Sequence, residues 1–282
     1  MKDLGEATAV TALADGGRYS AMLFPDYEIW GPEGGYVAAV LFRAAAAESS
    51  QRRPASLQVH FLGVARSEPV ELTVTVLRTT RRAESLRVSM TQDGRPVAEA
   101  LAWFTAGGDG LAHHSAPLPD GLPPAQTLPT WPERMAAAGQ DLPSFPFWDN
   151  VEHWPLGWHD QWPPTGPEDP VWRIWARFQP TATFTDPVVD ACRSVALADI
   201  QWPAAGGPHA WRYPDGQLPW VAPTLDLSVQ FHALEATADV LLLEARCPVA
   251  GDGLIGGSAR VWSAGGTLLA SAAGQLLCRP VG

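Results

Sequence analysis

Trp30-Gly31-Pro32-Glu33-Gly34-Gly35-Tyr36-Val37-Ala38-Ala39-Val40-Leu41-Phe42-Arg43-Ala44-Ala45-Ala46-Ala47-Glu48 decides how this chain reads. Gly31 to Gly35 is a loop of breakers. Tyr36 to Glu48 is rich in Ala, Val and Leu and predicts a helix that is apolar almost all round, hence a buried one. Strands surround it. Arg18 to Phe24 predicts a strand before the loop. After the helix, Ser56 to Leu62 alternates with the period of a strand. Val70 to Thr80 and Ala83 to Thr91 are two more strands about a turn at Arg81-Arg82. Asp93-Gly94 is a hairpin signal leading into Pro96 to Thr105. One helix with an antiparallel run of strands is an α+β pattern.

The order recurs in the second half. Val171 to Gln179 predicts a strand. Asp186 to Leu197 predicts a helix, with Asp186 as N-cap and Pro187 at the first helical position. Leu225 to Leu234, Val240 to Cys247, Gly257 to Ser263 and Thr267 to Arg279 follow as strands. Gln58-Val59-His60-Phe61 lies over Ser228-Val229-Gln230-Phe231, and Asp93-Gly94 over Gly265-Gly266, at a spacing of about 170. A βαββββ unit used twice suggests duplication, and two copies can join their sheets so that neither leaves a bare edge. The expected division is 1–110 for the first repeat, 111–168 for a Trp/Pro-rich linker and 169–282 for the second repeat. Within the linker, Trp131, Trp148, Trp154, Trp158 and Trp162 bring large burial energies, so the segment is not expected to be floppy throughout.

Composition excludes several classes. The 282 residues carry a formal charge of −11, with one Lys (Lys2) among 19 Lys and Arg. Such a chain lacks the basic footprint that nucleic acid requires. No apolar run approaches the ~20 residues of a membrane span, and no signal peptide opens the sequence. Cys192, Cys247 and Cys278 are odd in number and lack metal-ligand spacing. They read as buried thiols of a reducing, cytoplasmic setting. There is no Gly-x-Ser-x-Gly elbow, P-loop, His-Glu-x-x-His or Cys-x-x-Cys. Gly251-Asp252-Gly253-Leu254-Ile255-Gly256 fits Gly-x-Gly-x-x-Gly, but a strand follows it instead of the helix a dinucleotide site needs, so it reads as a hairpin. His113-His114 reads as a solvated loop pair. His153 and His159 are the histidines that could reach a site from the linker. Arg52-Arg53 and Arg81-Arg82 read as solvated turns or as a phosphate contact.

Trp30 to Ala39, His60-Phe61-Leu62, Leu77 to Arg82, Leu197-Ala198-Asp199-Ile200, Pro223 to His232 and Ala270 to Gln275, taken in order, resemble the type II acyl-CoA thioesterases and their thioesterase-like relatives. The resemblance implies a double hotdog: two repeats whose antiparallel sheets each wrap a central helix. It further implies an acyl-CoA substrate, no cofactor and no metal, and a homodimer or dimer of dimers. In that family an Asp, a Thr and a Gln of the second repeat hold a water for attack on the thioester, and they match Asp199, Thr224 and Gln275. The last strand is one residue longer here between Ala270 and Gln275, and one residue turns a strand side chain to the other face unless a bulge restores it.

The chemistry is coherent. Asp199, after an apolar helical run, can serve as general base. The Thr224 hydroxyl both donates and accepts, and the Gln275 amide donates. Asp226, two residues after Thr224, is a lesser candidate on the same expected face. Gly34, Gly35 and Tyr36, at a positive helix end, would offer backbone N–H groups to an oxyanion. A module that binds acyl ligands without turnover is the alternative. A hotdog hydratase would need an Asp/His pair near the start of a central helix, which neither Gly31 to Val40 nor Asp186 to Val195 contains.

Overall fold

The computed structural model describes residues 2–139, 145–159 and 161–281. The chain opens with a short helix α1 (Leu4–Ala7) and strands β1 (Thr11–Ala12) and β2 (Arg18–Met22). The central helix α2 (Gly34–Glu48) precedes β3 (Arg53–Phe61), β4 (Pro69–Thr79), β5 (Ala83–Gln92) and β6 (Arg95–Thr105). Between the halves lie α3 (Trp131–Ala138), α4 (Pro146–Asp149) and β7 (Val151–Leu156). The second half has β8 (Val171–Phe178), α5 (Pro187–Ala198), α6 (Trp202–Gly206), β9 (Trp220–Val221), β10 (Thr224–Phe231), β11 (Leu241–Gly251), β12 (Leu254–Ser263), β13 (Leu268–Leu277) and β14 (Arg279–Pro280). This is the double hotdog that the sequence predicts: α+β, with βαββββ used twice.

Twelve strands form one antiparallel sheet in the order β1-β2-β4-β5-β6-β3-β10-β13-β12-β11-β8-β7. The halves meet where β3 pairs β10, with Gln58 opposite Ser228 and the pairs Asp226–His60 and Gln230–Ser56 placed symmetrically about it. Gln58 and Ser228 thus mark a local two-fold axis at the 170-residue spacing of the repeat. Joining these strands removes two sheet edges. The Gly-x-Gly-x-x-Gly run is a hairpin between β11 and β12, with Asp252 and Gly253 both at positive φ (51° and 75°). Asp93-Gly94 makes the matching turn between β5 and β6.

Both central helices lie on one face of the sheet. Their side chains join a single core with the inward residues of the strands, such as Leu57, Val59, Leu86, Val229, Leu243 and Val261. Phe42 stacks between Phe104 and Phe231 at 5.2 and 5.1 Å between ring centres. α2 and α5 run antiparallel, and their closest approach is at Gly35. A Cβ there would lie 2.7–2.8 Å from the Val195 carbonyl oxygen and the Ala196 backbone. We expect Gly35→Ala to destabilise the chain by roughly 1–3 kcal/mol, as overpacked cores do. Urea denaturation checks this, and a loss below a few tenths of a kcal/mol contradicts it.

The outer face of the second half is covered by the connecting segment. Ala125 packs with Trp154, Trp175, Leu242 and Trp262. The Trp175 and Trp262 indoles donate to the carbonyls of Pro123 and Ala116, each at 2.9 Å. The sequence reading has no strand in 111–168, but β7 pairs β8 and forms the last strand of the sheet. Pro155 within it is tolerated because an edge strand has one unpaired side. Two boundaries also differ. The first strand ends at Met22 because Pro25 opens a 3₁₀ turn, and α2 starts two residues before Tyr36 because Glu33 caps it.

Candidate active site

The site is built where the C-terminus of α5 meets the N-terminus of α2. Asp199 is the C-cap residue of α5. A Cβ on Gly34 would overlap Asp199 Oδ2 and lie 3.4 Å from the Phe61 ring, so only glycine lets the carboxylate reach the α2 backbone. The Thr224 side chain is set against the Asp199 carboxyl, where it favours the ionised form. A bulge between Thr224 and Asp226 in the β10–β13 pairing makes this possible. Leu227 points inward to the core, so plain alternation would turn Thr224 outward; the extra residue turns it in. Asp226 stays on the outer face opposite His60 and Gln275 and does not join the site, contrary to the same-face expectation.

Glu33 is the residue that the sequence reading missed. It is 4% exposed and caps α2, its carboxyl accepting from Gly35 N–H at 2.8 Å and Tyr36 N–H at 2.6 Å. It also hydrogen-bonds Asp199. Burial lifts the Glu33 carboxyl well above its usual range, and the Asp199 charge lifts it further. Burial also raises Asp199, against the hydrogen bonds from Glu33, Thr224 and Gly35 that favour its ionised form. Two touching buried carboxyls do not both ionise readily, so they share a proton. Of the two, Glu33 is lifted by burial and by the Asp199 charge, while the neighbours of Asp199 favour its ionised form. A glutamate at an N-cap, where Ser, Thr, Asp and Asn are favoured, was the available signal.

The expected oxyanion group divides. The Gly35 and Tyr36 N–H groups are taken by the Glu33 carboxyl. The Tyr36 ring stacks on Tyr27 at 4.7 Å, and its hydroxyl donates to Ala7 O and accepts from Phe24 N–H, so its role is architectural. Gly34 N–H lies outside this cap. Gln275 does not converge with Asp199 and Thr224. In β13 the inward positions are Ala272, Gly274 and Leu276, and the unbroken register with β12 puts Gln275 on the opposite face. No bulge between Ala270 and Gln275 offsets the extra residue.

The remaining candidates lie elsewhere. His153 is buried against Trp148, 4.5 Å between ring centres, with Nδ1 3.0 Å from Val151 O, and burial lowers its pKa. His159 pairs with Glu168 at 2.8 Å. The three cysteines are unpaired, and burial pushes the thiols of Cys192 and Cys247 up to about 12 and about 11. At the pseudo-equivalent end of the helix pair, Asp186 caps α5 and lines a cavity with Ala46, Arg43 and Arg52; no second acid lines it. Among the described residues the helix pair therefore carries a paired-carboxyl site at one end and not at the other. Among the described residues no three His, Cys, Asp or Glu side chains cluster as metal ligands, and no helix is long and apolar enough to cross a membrane.

Comparison with known proteins agrees with this architecture. Residues 26–105 match the model of the acyl-CoA thioesterase N-terminal domain, and residues 119–278 match that of the acyl-CoA thioesterase C-terminal domain. The chain belongs to the acyl-CoA thioesterase family. No match was found among curated proteins. Among solved structures, a hot dog fold protein from Alicyclobacillus acidocaldarius is 24% identical with a TM-score of 0.80, covering 99% of this chain and 98% of that one. An acyl-CoA thioesterase II from Mycobacterium marinum is 20% identical with a TM-score of 0.78, again covering 99% and 98%. At these identities the likeness is one of fold.

Proposed function

We propose that this thioesterase-family chain hydrolyses an acyl-CoA to the free acid and CoA by direct attack of water, with Asp199 as general base. The observation that carries the reading is the buried Asp199 carboxyl set against the first turn of α2, beside Gly34, Glu33 and Thr224. Water gives a proton to Asp199 as its oxygen bonds to the thioester carbon. The carbonyl oxygen becomes an oxyanion facing the Gly34 N–H at the positive end of α2. Collapse breaks the C–S bond, and the thiolate leaves with the proton returned from Asp199. Thr224 holds the carboxylate in place, and no covalent intermediate forms. The test is rapid quench of a single turnover: CoA and free acid should appear at one rate. A burst of CoA ahead of acid would contradict the direct attack.

The carboxyl pair makes a pH prediction. Asp199 must be ionised, and its pKa is raised, so kcat/KM falls as pH drops through a value above the ordinary aspartate range. Glu33 is raised further, and its ionisation at higher pH puts a second negative charge beside the developing oxyanion. Wild type therefore has an alkaline limb. Glu33→Gln removes that ionisation, and its kcat/KM is expected to stay level on the alkaline side while the acid limb remains. An alkaline limb unchanged in the variant contradicts the assignment.

A further inference from the structure

We propose that Gln201 binds the attacking water together with Asp199; the assignment rests on the hydrolase reading and extends it. Gln201 is 1% exposed and sits two residues after Asp199, where α5 ends. Its N–H donates to Asp199 O at 2.8 Å, so both side chains leave the same tight turn. Its Nε2 donates to Ala198 O at 2.9 Å, and Cys247 Sγ lies 3.4 Å from its carbonyl oxygen. Backbone and amide are both fixed.

The sheet is shaped around this amide. Gly257 of β12 and Gly274 of β13 are direct cross-strand partners. A Cβ on Gly257 would overlap Gln201 Oε1, and one on Gly274 would lie 3.4 Å from Nε2 and 3.6 Å from Oε1. Paired glycines weaken a strand interior, and they mark a place where another group approaches the backbone closely. Here that group is the Gln201 amide. With Nε2 committed to Ala198, the amide presents Oε1, which is buried and has no hydrogen-bond partner; Asp199 Oδ1 is in the same condition. Both atoms are acceptors, and a water molecule has two hydrogens to give. A water that donates one to each keeps a lone pair free for the electrophile. Asp199 takes the first proton, while Gln201 holds the second and sets the angle of attack. A glutamine that merely filled space would need neither a locked amide nor an acceptor turned to the inside.

Gln201→Met keeps the volume and removes the acceptor. Hydrolysis of an acyl-CoA that wild type turns over is expected to lose about 10²-fold in kcat with KM within about twofold, the pattern of a group that acts in the transition state. The Asp199→Asn/Gln201→Met double variant should lose less than the product of the single losses, because both residues hold one water. Gly257→Ala, which displaces the amide without altering it, should lower kcat at least about tenfold and decides the matter if Gln201→Met fails to fold. Gln275→Ala should leave kcat unchanged. Folded Gln201→Met or Gly257→Ala protein with kcat within about threefold of wild type overturns the assignment alone, as does a fully multiplicative double variant. A wild type inert on every acyl-CoA overturns the hydrolase reading, and this assignment with it.

Discussion

Arg193→Met is expected to destabilise the folded chain by about 3–5 kcal/mol, a loss typical when one partner of a buried ion pair is removed. Arg193 has no exposed surface and Asp190, one turn earlier on α5, is 4% exposed. The two are ion-paired, and Arg193 Nη1 also donates to Ala182 O at 2.7 Å and Ala238 O at 2.6 Å. Burial raises the Asp190 carboxyl, and the Arg193 charge and hydrogen bond oppose that. Removing the guanidinium leaves a buried carboxylate and two carbonyls without their donor. Asp190 would then protonate or draw in water, and either costs stability. Replacing both partners, Asp190→Leu with Arg193→Met, should recover much of the loss, since paired apolar residues often match a buried ion pair. Urea denaturation at constant m-value checks both statements. A single variant within about 1 kcal/mol of wild type would mean that the pair contributes little to holding α5.

Asp199→Asn is expected to lower kcat by about 10²–10⁴-fold, the range for loss of a general base. Asparagine fits the same space and can still accept from Thr224, so the fold and the approach of Gly34 are kept. It cannot take a proton from water at neutral pH. The loss should fall on kcat, with KM little changed, and the acid limb of the pH profile should vanish with the group that produces it. A thermal midpoint near that of wild type confirms that the fold is kept. Activity within threefold of wild type would discard Asp199 as the base while leaving the family assignment intact.

The fold was legible because each level of the sequence points the same way. The apolar run from Tyr36 to Glu48, the Asp186-Pro187 cap and the turn residues Asp93-Gly94 and Asp252-Gly253 are local signals, and the structure uses each as such. The repeat spacing then fixes the β3–β10 register. The site was legible only in part, because its geometry depends on features without a local signature. Asp199 and Thr224 come from resemblance, and they meet only through the bulge at Leu225, which turns Thr224 in while Asp226 stays on the outer face. Gln275 follows from counting along a strand, where one position exchanges the two faces. Glu33 and Gln201 gain meaning from tertiary neighbours: one from the end of the opposite helix, the other from a glycine pair on two strands far along the chain.

The most direct test is release of free CoA thiol from a panel of acyl-CoAs, short, long and aromatic, by the purified wild-type chain. Catalytic turnover of at least one member is the expected result. Binding of acyl-CoAs with no turnover of any of them would contradict it, and would make the chain an acyl-ligand-binding module on a thioesterase fold.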